Sequence, residues 1–215
     1  MSKKRNQKFL MAGCLLVGFV LWTVLVRYVD VQPIGPRGSS VGFASVNRAV
    51  HEWTGVHTWL YTVTDWLGLV PIAVALGFSV FGMVQWIRRK RFLSVDRSLF
   101  ALGGFYLAVM TVYVFFELFV VNYRPVLING HLEASYPSST TLLVLCVMPT
   151  AMMQLSSRII GQGIKRGVTV MMSVFVGFMV IGRLVSGVHW VTDIIGGALL
   201  AFGLVMLYRA VAESD

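Results

Sequence analysis

Charge is what this 215-residue chain has least of. Only 13% of its residues are Asp, Glu, Lys or Arg, while 57% are hydrophobic. Soluble domains carry about 25% charged residues, so a water-soluble globular domain is excluded. Cysteine is nearly missing too. Cys14 and Cys146 each lie inside an apolar run, which excludes a disulfide framework and a cysteine metal site. There is no internal repeat and no low-complexity tract. What is present instead is a series of long apolar runs, the mark of a polytopic membrane protein.

Acidic residues are the scarcer charge, nine against 18 Lys and Arg, which leaves a net charge of +9. Their distribution excludes nucleic acid as the partner. Thirteen of the 18 basic residues fall in the stretches Lys3 to Lys8, Arg88 to Arg97 and Arg158 to Arg166, and at Arg209. A six-span arrangement puts all of these on one side, as the positive-inside rule requires. Their expected partner is anionic inner-leaflet lipid.

The spans read as Phe9–Val29, Leu67–Ile87, Ser98–Val121, Ser138–Leu155, Val168–Gly187 and Thr192–Val211. Each is close to the length a helix needs to cross the hydrocarbon core, and lipid leaves the backbone no alternative to helix. The first follows KKR like a signal peptide, but no small-x-small site comes soon after it, so it reads as an uncleaved span. The expected fold is all-α and polytopic, with six transmembrane helices. It divides into an N-terminal span (1–29), an outer interfacial segment (30–66) and a membrane core (67–215). Both termini are expected in the cytoplasm of a plasma membrane of bacterial type.

The outer segment is too polar to span yet rich in aromatics. Trp53, Trp59, Tyr61 and Trp66 suit interfacial helices at headgroup level. Its HEWTGVH stretch is not a zinc helix, because the two histidines are six apart rather than four.

The polar residues gather where this topology leaves least reason for them. GRLVSGVHWVTD, residues 182–193, carries Arg183, His189 and Asp193 inside an apolar region. Ionisable groups there are costly and default to function. Arg124 lies just beyond span three, and Ser138 and Ser139 begin span four. All four histidines fall on the same outer side. Two guanidiniums suit the oxygens of a phosphate. YPSST reads as a helix start, with Pro137 near its first turn, and such a terminus offers free N–H groups to an anion. His189 and Asp193 are four apart, so on a helix the carboxylate orients one imidazole nitrogen and frees the other.

These residues resemble the type-2 phosphatidic acid phosphatase superfamily of integral membrane lipid phosphatases. Its three-part pattern is Lys-x6-Arg-Pro, Pro-Ser-Gly-His and Ser-Arg-x5-His-x3-Asp. The chain reads ELFVVNYRP (117–125), PSST (137–140) and GRLVSGVHWVTD, in the same order. The resemblance covers about residues 60–210. It implies that His189 attacks phosphorus to form a phosphohistidine, that Asp193 orients it, and that Arg124, Arg183, Ser138, Ser139 and Thr140 surround the phosphoryl group. It implies no metal and no other cofactor.

Three of the departures from the pattern bear on the chemistry. Glu117 replaces the lysine, and it pairs with an arginine, bridges helices or is held protonated. Gly182 replaces the serine. Thr140 replaces the histidine that serves the family as general acid, and a threonine hydroxyl is too weak an acid for that task. Either His131, Glu133 or Glu117 donates the proton instead, or the leaving group needs none. A phosphate leaving from a diphosphate is already a weak base. The expected activity is therefore lipid phosphate hydrolysis at the outer leaflet, with a preference for a polyprenyl-type diphosphate. A lipid-to-lipid phosphotransferase shares the first step. A phospholipid binder or transporter that has lost the chemistry is the third alternative.

Overall fold

The computed structural model describes residues 3–212. Eight α-helices follow one another: α1 (Lys3–Tyr28), α2 (Ala44–Thr54), α3 (Thr58–Leu67), α4 (Leu69–Arg89), α5 (Arg97–Leu118), α6 (Ser139–Ser156), α7 (Gln162–Val185) and α8 (Val191–Ala212). Six are long and apolar enough to cross a membrane, α3 and α4 counting together as one stretch over Thr58–Arg89. The fold is all-α, as the hydropathy pattern required. Among the described residues, β pairing is confined to isolated bridges.

α6 is the most buried span and forms the centre, with α4, α5, α7 and α8 against it and α1 along α8. The core follows from that placement. Leu142, Leu145 and Cys146 of α6 meet Leu102, Phe105 and Val109 of α5 and Leu200, Ala201 and Val205 of α8. The outer faces of α1, α4 and α5 keep Leu21, Leu76 and Leu107 exposed, as lipid-facing surfaces do. The basic residues from Arg88 to Arg97, with Arg158, Lys165, Arg166 and Arg209, all lie at or beside one set of helix ends. At the opposite ends stand the start of α6, the end of α7 and the start of α8.

The outer segment is more closely tied to the core than its aromatic composition suggests. α3 runs almost directly into α4 through Gly68, whose N–H bonds the Thr64 and Asp65 carbonyls. Trp53, Trp59 and Trp66 are largely exposed, as interfacial residues should be. Tyr61 differs: its ring lies under the guanidinium of Arg183.

Candidate active site

The start of α8 is built to carry a histidine and a carboxylate. Asn47 of α2 is fully buried and accepts from the Thr192 N–H at 3.3 Å, which satisfies an otherwise orphaned donor of the first turn. The indole of Trp22 donates to the Thr192 carbonyl at 3.2 Å, and that of Trp190 to the Tyr123 carbonyl at 2.8 Å. The α7–α8 turn is clamped by the α2–α3 link: His57 N–H donates to the Ser186 carbonyl at 3.0 Å. Gly187 in that turn has φ +70°, and a Cβ there would come within 2.1 Å of the Gly55 carbonyl oxygen. Only glycine fits both demands.

Asp193 has no exposed surface. Its Oδ2 accepts from the Trp190 N–H at 2.9 Å, and its Oδ1 faces the Asn122 amide at 3.5 Å. His189 Nδ1 lies 3.7 Å from Asp193 Oδ2, an electrostatic contact rather than a hydrogen bond. On the other side, Nε2 lies 3.2 Å from Arg124 Nη1. Arginine only donates, so Nε2 must be the accepting nitrogen, and the ring proton belongs on Nδ1 toward Asp193. Burial, then the charges of Arg124 and Arg183, push His189 well below its ordinary 6.5. The imidazole is neutral, with its lone pair on Nε2, as a nucleophile requires.

Arg124 is held by a hairpin that the spacing of motifs did not reveal. Tyr123 pairs with Ala134 and Ile128 with His131, with Asn129 and Gly130 both at positive φ between the last two. That is the conformation of a tight hairpin turn, and the Asn-Gly dipeptide was the available signal for it. The pairing sets Arg124 opposite Glu133. The Arg124 N–H bonds the Glu133 carbonyl at 3.0 Å, and Nε meets the Glu133 carboxylate at 3.1 Å.

Arg183, 2% exposed, is held entirely by side chains. Its Nε donates to Thr140 Oγ1 at 3.0 Å, Nη1 to Thr64 Oγ1 at 3.4 Å and Nη2 to Asp65 Oδ1 at 3.1 Å. The Tyr61 ring centroid is 5.1 Å from its Cζ. Three residues of α3 thus belong to the site, and nothing in their sequence spacing pointed to Arg183. Gly182 explains how α3 comes so near: a Cβ at 182 would stand 2.8 Å from Thr64 Cγ2.

Other expected residues are placed less directly. Ser138 is the N-cap of α6, so Pro137 precedes the cap rather than opening the helix. The cap hydroxyl accepts from the Thr141 N–H at 3.5 Å, and the Ser138 N–H bonds the Asp193 carbonyl at 3.0 Å. α6 therefore points its N-terminal end at the start of α8. Ser139 is half-buried and shares a small cleft with Tyr113, Glu117 and Tyr136. Neither arginine pairs with Glu117, because Glu133 and Asp65 hold those places. His131 is exposed at the hairpin turn, and among the described residues no contact joins its side chain to the site.

Arg124 thus contacts His189, which faces Asp193, while Arg183 holds Thr140 in a second group whose charge also acts on His189. Residues 119–214 match the model of the PAP2 superfamily, a stretch that holds Arg124, PSST and GRLVSGVHWVTD. A solved structure, the transmembrane PAP2 type phosphatidylglycerolphosphate phosphatase from Bacillus subtilis, has a similar fold. Its TM-score is 0.61 at 20% identity, over 94% of this chain and 96% of that one. No curated protein matches the sequence.

Proposed function

We propose that this protein, a multi-pass membrane protein of PAP2 phosphatase fold, hydrolyses a lipid phosphate, preferentially a lipid diphosphate of polyprenyl type, through a phosphohistidine on Nε2 of His189. The observation that carries the reading is the imidazole held between Arg124 at Nε2 and Asp193 on the Nδ1 side. A phospholipid binder has no use for a neutral, carboxylate-oriented imidazole aimed at a guanidinium.

In the first step, Arg124 Nη1 exchanges Nε2 for a phosphoryl oxygen. The freed lone pair attacks phosphorus, and the bond from phosphorus to the leaving oxygen breaks. The imidazole keeps its Nδ1 proton and gains a positive charge, which draws Asp193 into a closer contact. Water then attacks the phosphohistidine and restores neutral His189. The two guanidiniums and the start of α6 stabilise the charge on the phosphoryl oxygens, which is the main work in phosphoryl transfer.

Thr140 supports the diphosphate preference. Its hydroxyl oxygen accepts from Arg183, so the residue at the general-acid position serves to hold a guanidinium. A leaving group that needs no proton suits such a site. Among the alternative donors, Glu133 is the one that touches an arginine of the site. The basic residues at the opposite helix ends support cytoplasmic termini and a site at the outer leaflet of the plasma membrane.

Phosphate release in detergent micelles tests this. Polyprenyl diphosphate, phosphatidic acid and phosphatidylglycerolphosphate are compared, with and without His189→Ala. Release that requires His189 and is fastest from the diphosphate is expected. Equal or faster release from phosphatidic acid would refute the preference. Retained release in His189→Ala would refute the phosphohistidine.

A further inference from the structure

The four partners of Arg183 are not alike. Thr64 and Thr140 are buried neutral hydroxyls, and Tyr61 offers a ring face. Asp65 alone among them carries charge, and its side chain is 58% exposed against 2% for Arg183. A buried guanidinium left without an anion is costly. An exposed carboxylate returns to water at little cost. Arg183 must keep an anion, but that anion need not be Asp65.

We propose that Asp65 is an internal stand-in for the substrate phosphate: it holds Nη2 of Arg183 in the resting protein and is displaced when a phosphoryl oxygen takes its place. The proposal rests on the reading of the cluster as a phosphate site. The exchange breaks and makes hydrogen bonds only, and one anion replaces another, so Arg183 is never left unpaired. Thr140, Thr64 and Tyr61 stay in place and keep the guanidinium aimed.

Two features set this up. Gly182, where the family pattern has serine, gives Thr64 the room that brings α3 onto α7. The Asp65 side chain is itself 58% exposed, so its carboxylate has open space to swing into. The departure at position 182 and the unexpected carboxylate thus belong to one arrangement. A consequence is selectivity. An anion must outcompete a carboxylate already in place, which favours the multiply charged phosphate over weaker anions.

The test is binding of orthovanadate and inorganic phosphate to the full chain in detergent. Wild type is compared with Asp65→Asn, Asp65→Ser and Arg183→Ala, with each variant's melting temperature measured alongside. Loss of the competitor should tighten binding roughly fivefold or more in both Asp65 variants, and KM for the lipid substrate should fall in parallel. A residue that merely braces Arg183 would give weaker binding. Unchanged or weaker binding in a folded Asp65 variant, with wild-type binding dependent on Arg183, would overturn the proposal alone. If wild type binds neither probe, or binds equally without Arg183, the phosphate-site reading falls and the proposal with it.

Discussion

The two ends of the helix bundle both carry arginine–aspartate pairs, and they could hardly differ more. At the basic end, Asp96 meets Arg89 at 3.0 Å and Arg158 at 3.6 Å, with the three side chains 37%, 47% and 27% exposed. Gln85 donates to the same carboxylate, and that bond, with the arginines, holds Asp96 below the usual carboxylate range. At the other end, Arg183 is 2% exposed and reaches outward to the 58% exposed Asp65, while Asp193, buried beside His189, has no exposed surface and Arg124 little. An exposed pair is a solvated fastening worth little. Buried charges have to be compensated continuously, and a protein that maintains them pays in stability for something else. On the proposed function, the contrast separates positive charge that orients the protein in the membrane from positive charge that meets the phosphate.

Breaking the buried end should have the largest effect. Asp193→Asn should lower turnover by about 10²–10⁴-fold, because an amide cannot fix the Nδ1 proton or balance the imidazolium. Steady-state kinetics in micelles would read this, and a change under tenfold would remove Asp193 from its role. The rate of phosphohistidine formation sharpens the same point. Burial and the two arginines lower the His189 pKa, so the neutral imidazole persists to lower pH than an ordinary histidine. The acid limb of that step should therefore lie below pH 6.5. It should move upward in Arg124→Gln, which removes one of the charges opposing protonation.

Gly182→Ala probes the seam between α3 and α7. A Cβ 2.8 Å from Thr64 Cγ2 forces α3 outward, and overpacking of this kind costs about 1–3 kcal/mol. The melting temperature should fall, and activity should fall with it as Arg183 loses its α3 partners. Full activity in a folded variant would detach α3 from the site. At the basic end, Asp96→Asn should cost at most ~1 kcal/mol and leave turnover within about twofold of wild type, since among the described residues the Asp96 carboxylate touches only Gln85, Arg89 and Arg158 there. A large loss of activity would end the comparison between the two ends.

Composition alone determined the class of this protein. With 57% hydrophobic residues and so few charges, the apolar runs had to become membrane-spanning helices, because lipid leaves the backbone no other hydrogen-bonding partner. Motif order and spacing then brought Arg124, Arg183, His189 and Asp193 to one end of the bundle, since residues at successive span ends must meet there. His189 lies in the turn before α8 rather than on the helix, and it meets Asp193 because that carboxylate folds back onto the Trp190 N–H, not through helical i, i+4 spacing. Which partner each arginine holds was settled only by the tertiary structure. Glu117 was one candidate partner for an arginine, yet α5 ends at Leu118 and Glu133 pairs with Arg124 through a hairpin register. Tyr61, Thr64 and Asp65 reach Arg183 because Gly182 lets two helices approach, more than a hundred residues apart in the chain. Long-range side-chain pairing depends on how closely helices can pack and on strand register, and neither is written in the spacing of a motif.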